Sequence, residues 1–316
     1  MADQLTDIYK EFESGRLLRF GQKNMVKGFN LTGLFPFEKV PTKKVNVITS
    51  TAIDKFVDKT GKQRKMAKGA RVRQIKGEVE TAGGLSLVHN EIEYVIENED
   101  MNRPEFNVYD ELKAMVYILS MDVEELVTSV ARTAAQIAIP AGVTLNDNWD
   151  DAGTSLEHII GDILEMQATS FDTLYTLNWF AQGKRANVEF GKRVLQSVED
   201  YTLPQNQFVI ENVANFMNAR HFYGGRYMND GEILAGDFNN PGIKVFFKDY
   251  TNPNVKSAPM PEGLAQLAPP MKMLMYDNSD KESEPQTTIK VACAAGAYPI
   301  RKGEGIFHYA DITSTA

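Results

Sequence analysis

One cysteine, Cys293, stands in 316 residues, so no disulfide can close within the chain and no cysteine-based metal cluster can form. That scarcity fits a reducing compartment. The four histidines, His89, His158, His221 and His308, lie far apart, and only His158 and Asp162 share a helix face at i, i+4. That pair reads as a solvated or hydrogen-bonded surface contact. No run approaches the roughly 18 apolar residues of a membrane span. The opening MADQLTDIYKEFESGR is polar and acidic without an apolar centre, which argues against a secretory signal. The patterns G-x-S-x-G, G-x-x-x-x-G-K-[ST] and H-E-x-x-H are missing, and the G-x-G at Gly303 and Gly305 lacks a third glycine. Cys293, in VACAAGA, has no basic neighbour to lower its pKa and reads as a buried, inert thiol. The adjacent carboxylates Glu124–Glu125 and Asp150–Asp151 read as a solvated helix face and a helix-entry turn. No catalytic, cofactor-binding or metal-ligating set is assigned, and no cofactor is expected.

With 43% hydrophobic and 24% charged residues, the chain can bury a sizeable core as one large domain or two to three lobes. The net charge of −8 is the wrong sign for a protein whose main task is gripping phosphates.

Leu5, Ile8, Tyr9 and Phe12 predict a short amphipathic helix within 3–19. The Gly- and Phe-rich stretch GFNLTGLFPFEKVPTKK predicts an extended arm without a core of its own, and a strand is expected at Val45–Thr51. In EIEYVIE, Ile92, Tyr94 and Ile96 alternate onto one strand face. A long helix is expected from about 108 to 138, capped by Asn107, with Asp110 and Glu111 favourably placed in its first turn. Thr154 and Glu157 have capping-box spacing before the apolar face Leu156, Ile159, Ile160, Ile163 and Leu164. FDTLYTLNWF reads as a strand, VEFGKRVLQSV as a helix, and KVFFKDY, MKMLMYD, TTIKVACAAGAYPI and GIFHYADIT as strands.

Charge is segregated. Residues 55–76 hold Lys55, Lys59, Lys62, Arg64, Lys65, Lys68, Arg71, Arg73 and Lys76 against the single acid Asp58, a net of +8. Residues 78–111 carry ten acids, among them Glu91, Glu93, Glu97, Glu99, Asp100 and Glu105, against Arg103 alone, a net of −9. Turn signals at Gly61, Gly77 and Gly83–Gly84 frame the basic stretch as a two-stranded excursion, which is marginal without a packing partner. Three readings stand: nucleic-acid binding, a solvated charged loop, or an arm that docks on the acidic stretch of a neighbouring copy. Scarce aromatics weigh against the first, and the paired blocks of opposite sign favour the third.

This order of parts, with Trp149 before the capped helix LEHIIGDIL and Trp179 before the helix VEFGKRVLQ, resembles the major capsid proteins of tailed phages and related archaeal viruses. The resemblance implies an α+β Hong Kong phage-type capsid fold, shared with encapsulins. By that likeness, residues 1–46 are an N-terminal arm and 47–88 an extension loop. Residues 89–149 are a peripheral domain with a spine helix, 150–290 an axial domain, and 291–316 strands returning to the peripheral domain. It further implies self-assembly into hexamers and pentamers of an icosahedral shell, with DNA enclosed without sequence-specific binding and no membrane partner. Portal, scaffolding and decoration proteins are the expected partners, and the location is the virion capsid, with host cytoplasm during assembly. The alternatives are an encapsulin-like container for a cargo enzyme, a soluble enzyme using carboxylates from 205–260, and a nucleic-acid module built on 55–76.

Overall fold

The computed structural model describes residues 31–49, 80–97, 108–134, 148–171, 176–200, 219–223, 227–249, 272–277, 286–300, 306–310 and 312–314. The basic stretch 55–76 and the acids Glu99, Asp100 and Glu105 lie outside these residues, as does the helix expected within 3–19. Strands β1 (Phe37–Val40), β2 (Lys44–Thr49), β3 (Glu80–Ser86) and β4 (Val88–Glu97) precede helix α1 (Val108–Ala134). Helix α2 (Leu156–Phe171), strand β5 (Trp179–Gln182) and helix α3 (Lys184–Asp200) follow. The remaining strands are β6 (Arg220–Tyr223), β7 (Ile233–Gly236), β8 (Ile243–Lys248), β9 (Lys272–Asp277), β10 (Gln286–Pro299) and β11 (Ile306–Tyr309).

Helix α1 runs 27 residues, about 40 Å at 1.5 Å per residue. Its stripe Leu112, Met115, Val116, Leu119, Val123, Val127 and Ala131 is buried against a sheet ordered β1-β8-β10-β4, with β9 also paired to β10. On that sheet, Ile96, Val245, Phe247, Ile289, Val291 and Cys293 face the helix. The alternation in β4 falls as expected, with Ile92, Tyr94 and Ile96 turned inward and Glu91, Glu93 and Glu97 outward.

A second sheet, β11-β7-β5-β6, is covered on both faces. Trp179, Ala181, Leu234 and Ile306 join the α1 core, while Phe180, Ile233, Ala235 and Tyr309 join a core made with α2 and α3. A sheet buried on both faces needs apolar residues at consecutive positions, which is why WFAQ and ILAG are buried throughout.

Several expectations are corrected. Of the expected strand 171–180, Phe171 belongs to α2 and the described strand is Trp179–Gln182. The blocks 150–290 and 291–316 are each divided between the sheets. β8 and β9 join the sheet of β4, whereas β11 joins that of β5. Long-range pairing, not sequence block, decides strand membership. The arm expected to lack a core is anchored over residues 31–40. Leu31, Leu34 and Phe35 are buried in the α1 core, and β1 pairs in parallel with β8. Glu124, expected on a solvated face, is 3% exposed. It accepts hydrogen bonds from the backbone N–H groups of Leu31 and of Thr32, the latter at 2.9 Å. Two charge-assisted bonds offset the desolvation of this carboxylate and fasten the arm to mid-helix.

Candidate assembly surface

β2 and β3 pair antiparallel from Lys44↔Ser86 to Thr49↔Glu80, and the 30 residues 50–79 lie between them in sequence. This root packs on the outer face of the first sheet, opposite α1. Val47, Leu87, Phe246 and Ala294 are buried there with Val45, Leu85 and Tyr298 against them. Gly296 eases this close approach, since a Cβ there would sit 2.8 Å from Leu87 Cδ2 and 3.1 Å from Leu85 Cδ2. The small residues of VACAAGA thus serve both faces: Cys293, Ala295 and Ala297 under α1, and Ala294 and Gly296 under the root.

The acids expected to receive a neighbour's arm are partly engaged within the chain. Lys290 Nζ lies 2.6 Å from Glu93 and 3.4 Å from Glu91. His89 Nε2 is 3.3 Å from Glu91. Hydrogen bonds from His89 and Lys290 hold Glu91 below its ordinary pKa, and the bond to Glu93 raises that of Lys290. Glu97 lies exposed at the end of the same strand.

The two tryptophans are interior struts. Trp149 is fully buried, donates Nε1–H to Asp162 Oδ2 at 2.9 Å and lies 6.4 Å from the Phe190 ring. Its backbone N–H donates to Ile312 O at 2.9 Å, and Asp150 accepts from Ser314 N–H at 2.7 Å and from Arg185 at 2.6 Å. The C-terminal segment is thereby tied to the start of α2. Trp179 meets Phe35 edge-to-face at 5.8 Å, so the anchored arm reaches the second sheet.

The His158–Asp162 pair is not a pair. Asp162 is fully buried beneath Trp149, and His158 is exposed at the helix start. Ser155 N–H donates to His158 Nδ1 at 3.2 Å, and His158 N–H donates to Ser155 Oγ at 3.4 Å. This reciprocal cap lies one residue later than expected, with histidine in the usual Glu position. Thr154 is buried and donates its hydroxyl to Asn148 O at 2.8 Å.

One cluster escaped the sequence. Glu232, fully buried on the turn before β7, is reached by Arg132 Nε at 2.6 Å and Nη2 at 2.8 Å, by His308 Nε2 at 2.7 Å, and by Asn229 N–H at 2.8 Å. Burial alone would raise this carboxyl. The close approach of the His308 ring, hydrogen bonds from Arg132 and Asn229, and the Arg132 charge outweigh it and hold the pKa at about 2. The cluster joins α1 to β7 and β11 across positions 132, 232 and 308, and no local pattern marks it.

Cys293 is fully buried, and burial, with the charge of Asp122, pushes its thiol up to about 12. A thiol so rarely ionised is no nucleophile. Among the described residues, no three His, Cys, Asp or Glu side chains gather as a metal site, and no helix is long and apolar enough to cross a membrane.

No family model and no curated protein matches the sequence. Solved structures do match the fold. The virus-like particle from Pyrococcus furiosus superposes with a TM-score of 0.54 at 9% identity, over 93% of this chain and 97% of that one. A phage-related protein from Bordetella bronchiseptica RB50 gives 0.54 at 13% identity over the same shares. The capsid of Cyanophage P-SCSP1u gives 0.51 at 10% identity, over 89% and 87%. The chain therefore has the mixed α+β fold of tailed-phage capsid proteins, the Hong Kong phage-type capsid fold.

Proposed function

We propose that this chain is a major capsid protein, whose copies gather into hexamers and pentamers and close an icosahedral shell around double-stranded DNA. The observation that carries this reading is the likeness over nearly the whole chain to subunits of phage capsids and of a virus-like particle, despite 9–13% identity. The paired root β2–β3 supports it. It stands on the outer sheet face and brackets 30 residues that include the nine cations of 55–76. A segment so charged and so poor in apolar residues has little to bury on its own chain, and it suits a neighbouring copy. A net charge of −8 suits a wall that should not adhere to packed DNA. Portal, scaffolding and decoration proteins are the partners such a shell would recruit, in host cytoplasm during assembly.

Negative-stain microscopy of the purified chain across salt and crowding tests this. Closed or partial shells, or ring-shaped capsomers, are expected. A chain that stays monomeric throughout overturns the reading, and particles filled with a protein cargo in a virus-free cell favour the container alternative.

A further inference from the structure

Helices α2 and α3 share one core on the second sheet, with Ile159, Ile163 and Met166 of one and Ala186, Phe190 and Val194 of the other turned into it. Their opposite faces are open and apolar, with Leu164 41%, Val188 45% and Leu195 66% exposed. Glu157, Glu165 and Ala168 are exposed beside Leu164, as are Lys184 and Lys192 beside Val188 and Leu195. The two faces repeat one spacing. Counted from Glu157, the steps 4, 7, 8 and 11 reach Gly161, Leu164, Glu165 and Ala168. Counted from Lys184, the same steps reach Val188, Gly191, Lys192 and Leu195. Such steps fall on one side of a helix. Laid together in that register, each acid of α2 meets a base of α3, and each large apolar side chain meets a small residue. Gly161 opposes Val188, Leu164 opposes Gly191, and Ala168 opposes Leu195. A Cβ at Gly191 would meet nothing within 4 Å, so there is open room over it in a single subunit. Lys192 reaches Glu189 at 2.5 Å, yet its side chain stays 59% exposed.

We propose that α2 of one copy packs in parallel on α3 of a second copy, with Leu164 seated over Gly191. The inference rests on the shell reading and names one surface on which neighbouring copies meet. Complementarity of charge and of size selects the occupant, because acids oppose bases and large side chains oppose small ones along the same three turns. Within one chain the two faces do not meet, since both helices turn their buried sides to the same core and these sides away from it. A contact made of two different surfaces runs head to tail and leaves each copy a free face for the next, as a ring of copies requires.

The test uses the full chain. Gly191→Leu fills the socket, and it should raise the protein concentration needed for assembly by about tenfold or more. The subunit's melting temperature should be unchanged or raised, because the added side chain has room and leucine favours a helix over glycine. Lys184→Glu with Lys192→Glu should weaken assembly to a similar degree. Adding Glu157→Lys and Glu165→Lys to that same chain should restore assembly to within about threefold of wild type, since each contact then regains its opposite charges. Leu164→Cys with Gly191→Cys should give a ladder of covalent oligomers on oxidation, the native Cys293 being buried. Normal assembly of Gly191→Leu beside an assembling wild type overturns this inference alone. So does a four-residue exchange that assembles no better than the two-residue reversal, or a cysteine pair that stays monomeric. A wild type that never assembles overturns the shell reading and the inference together.

Discussion

The indole N–H of Trp149 meets the Asp162 carboxylate at 2.9 Å, with both side chains fully buried. The donor comes from the turn that precedes α2 and the acceptor from the helix itself, and the segment ending at Ser314 is bonded to the same turn. One buried contact thus fixes where the chain enters its second core and where its last described residues lie.

Trp149→Phe should therefore destabilise the subunit by about 2–4 kcal/mol, from lost packing and a lost charge-assisted bond. Urea unfolding followed by circular dichroism measures it. A loss below about 0.5 kcal/mol would mean the indole N–H has no energetic role.

The Glu232 cluster predicts acid sensitivity. The folded pKa of about 2 lies below the ordinary 4.5, so its contribution is full above pH 4.5 and is lost as pH falls towards 2. The difference corresponds to about 3 kcal/mol. Glu232→Gln should lower stability near neutral pH and flatten this acid limb in denaturation midpoints taken from pH 2 to 6. An unchanged limb would assign it to other carboxylates.

Two glycines separate rigid from yielding neighbours. A Cβ at Gly236 would lie 2.3 Å from Trp179 Cζ2, and one at Gly296 would meet Leu87 Cδ2 at 2.8 Å and Leu85 Cδ2 at 3.1 Å. Gly236→Ala should cost at least about 3 kcal/mol and Gly296→Ala about 1 kcal/mol, because leucine rotates aside and an enclosed indole does not. Equal losses would contradict this account.

The thiol of Cys293 should resist labelling in the folded chain. With its pKa near 12, reaction at pH 8 is expected to be at least ~10³-fold slower than for free cysteine, rising to the free rate in denaturant. Rapid labelling of folded protein would show that the α1–sheet interface opens readily.

Reversing Lys62, Arg64, Lys65 and Lys68 to Glu should abolish shell formation while leaving the subunit's melting temperature within a few degrees of wild type. Light scattering and calorimetry read the two separately. Shells that still form would remove the basic segment from assembly.

Elements governed by local period were legible from the residues. The helical stripe of α1 and the alternation of Ile92, Tyr94 and Ile96 follow from side chains repeating at 3.6 or 2 positions. Local pattern misled where a residue's partner lies far along the chain. Glu124 looks solvated beside Glu125 until the N–H groups of Leu31 and Thr32, over 90 positions away, turn it into a buried anchor. Asp162 looks like a surface partner of His158 until Trp149 covers it.

Composition and periodicity therefore settle which stretches can bury apolar faces and which, like 55–76, hold too few apolar residues to do so alone. They also carry the segregation of charge, because net charge is a property of the residues themselves. Which strands share a sheet and that Arg132 and His308 converge on Glu232 are consequences of three-dimensional closure. Electrostatics and packing depend on distance in space, and spatial distance is set by contacts between segments tens to hundreds of residues apart.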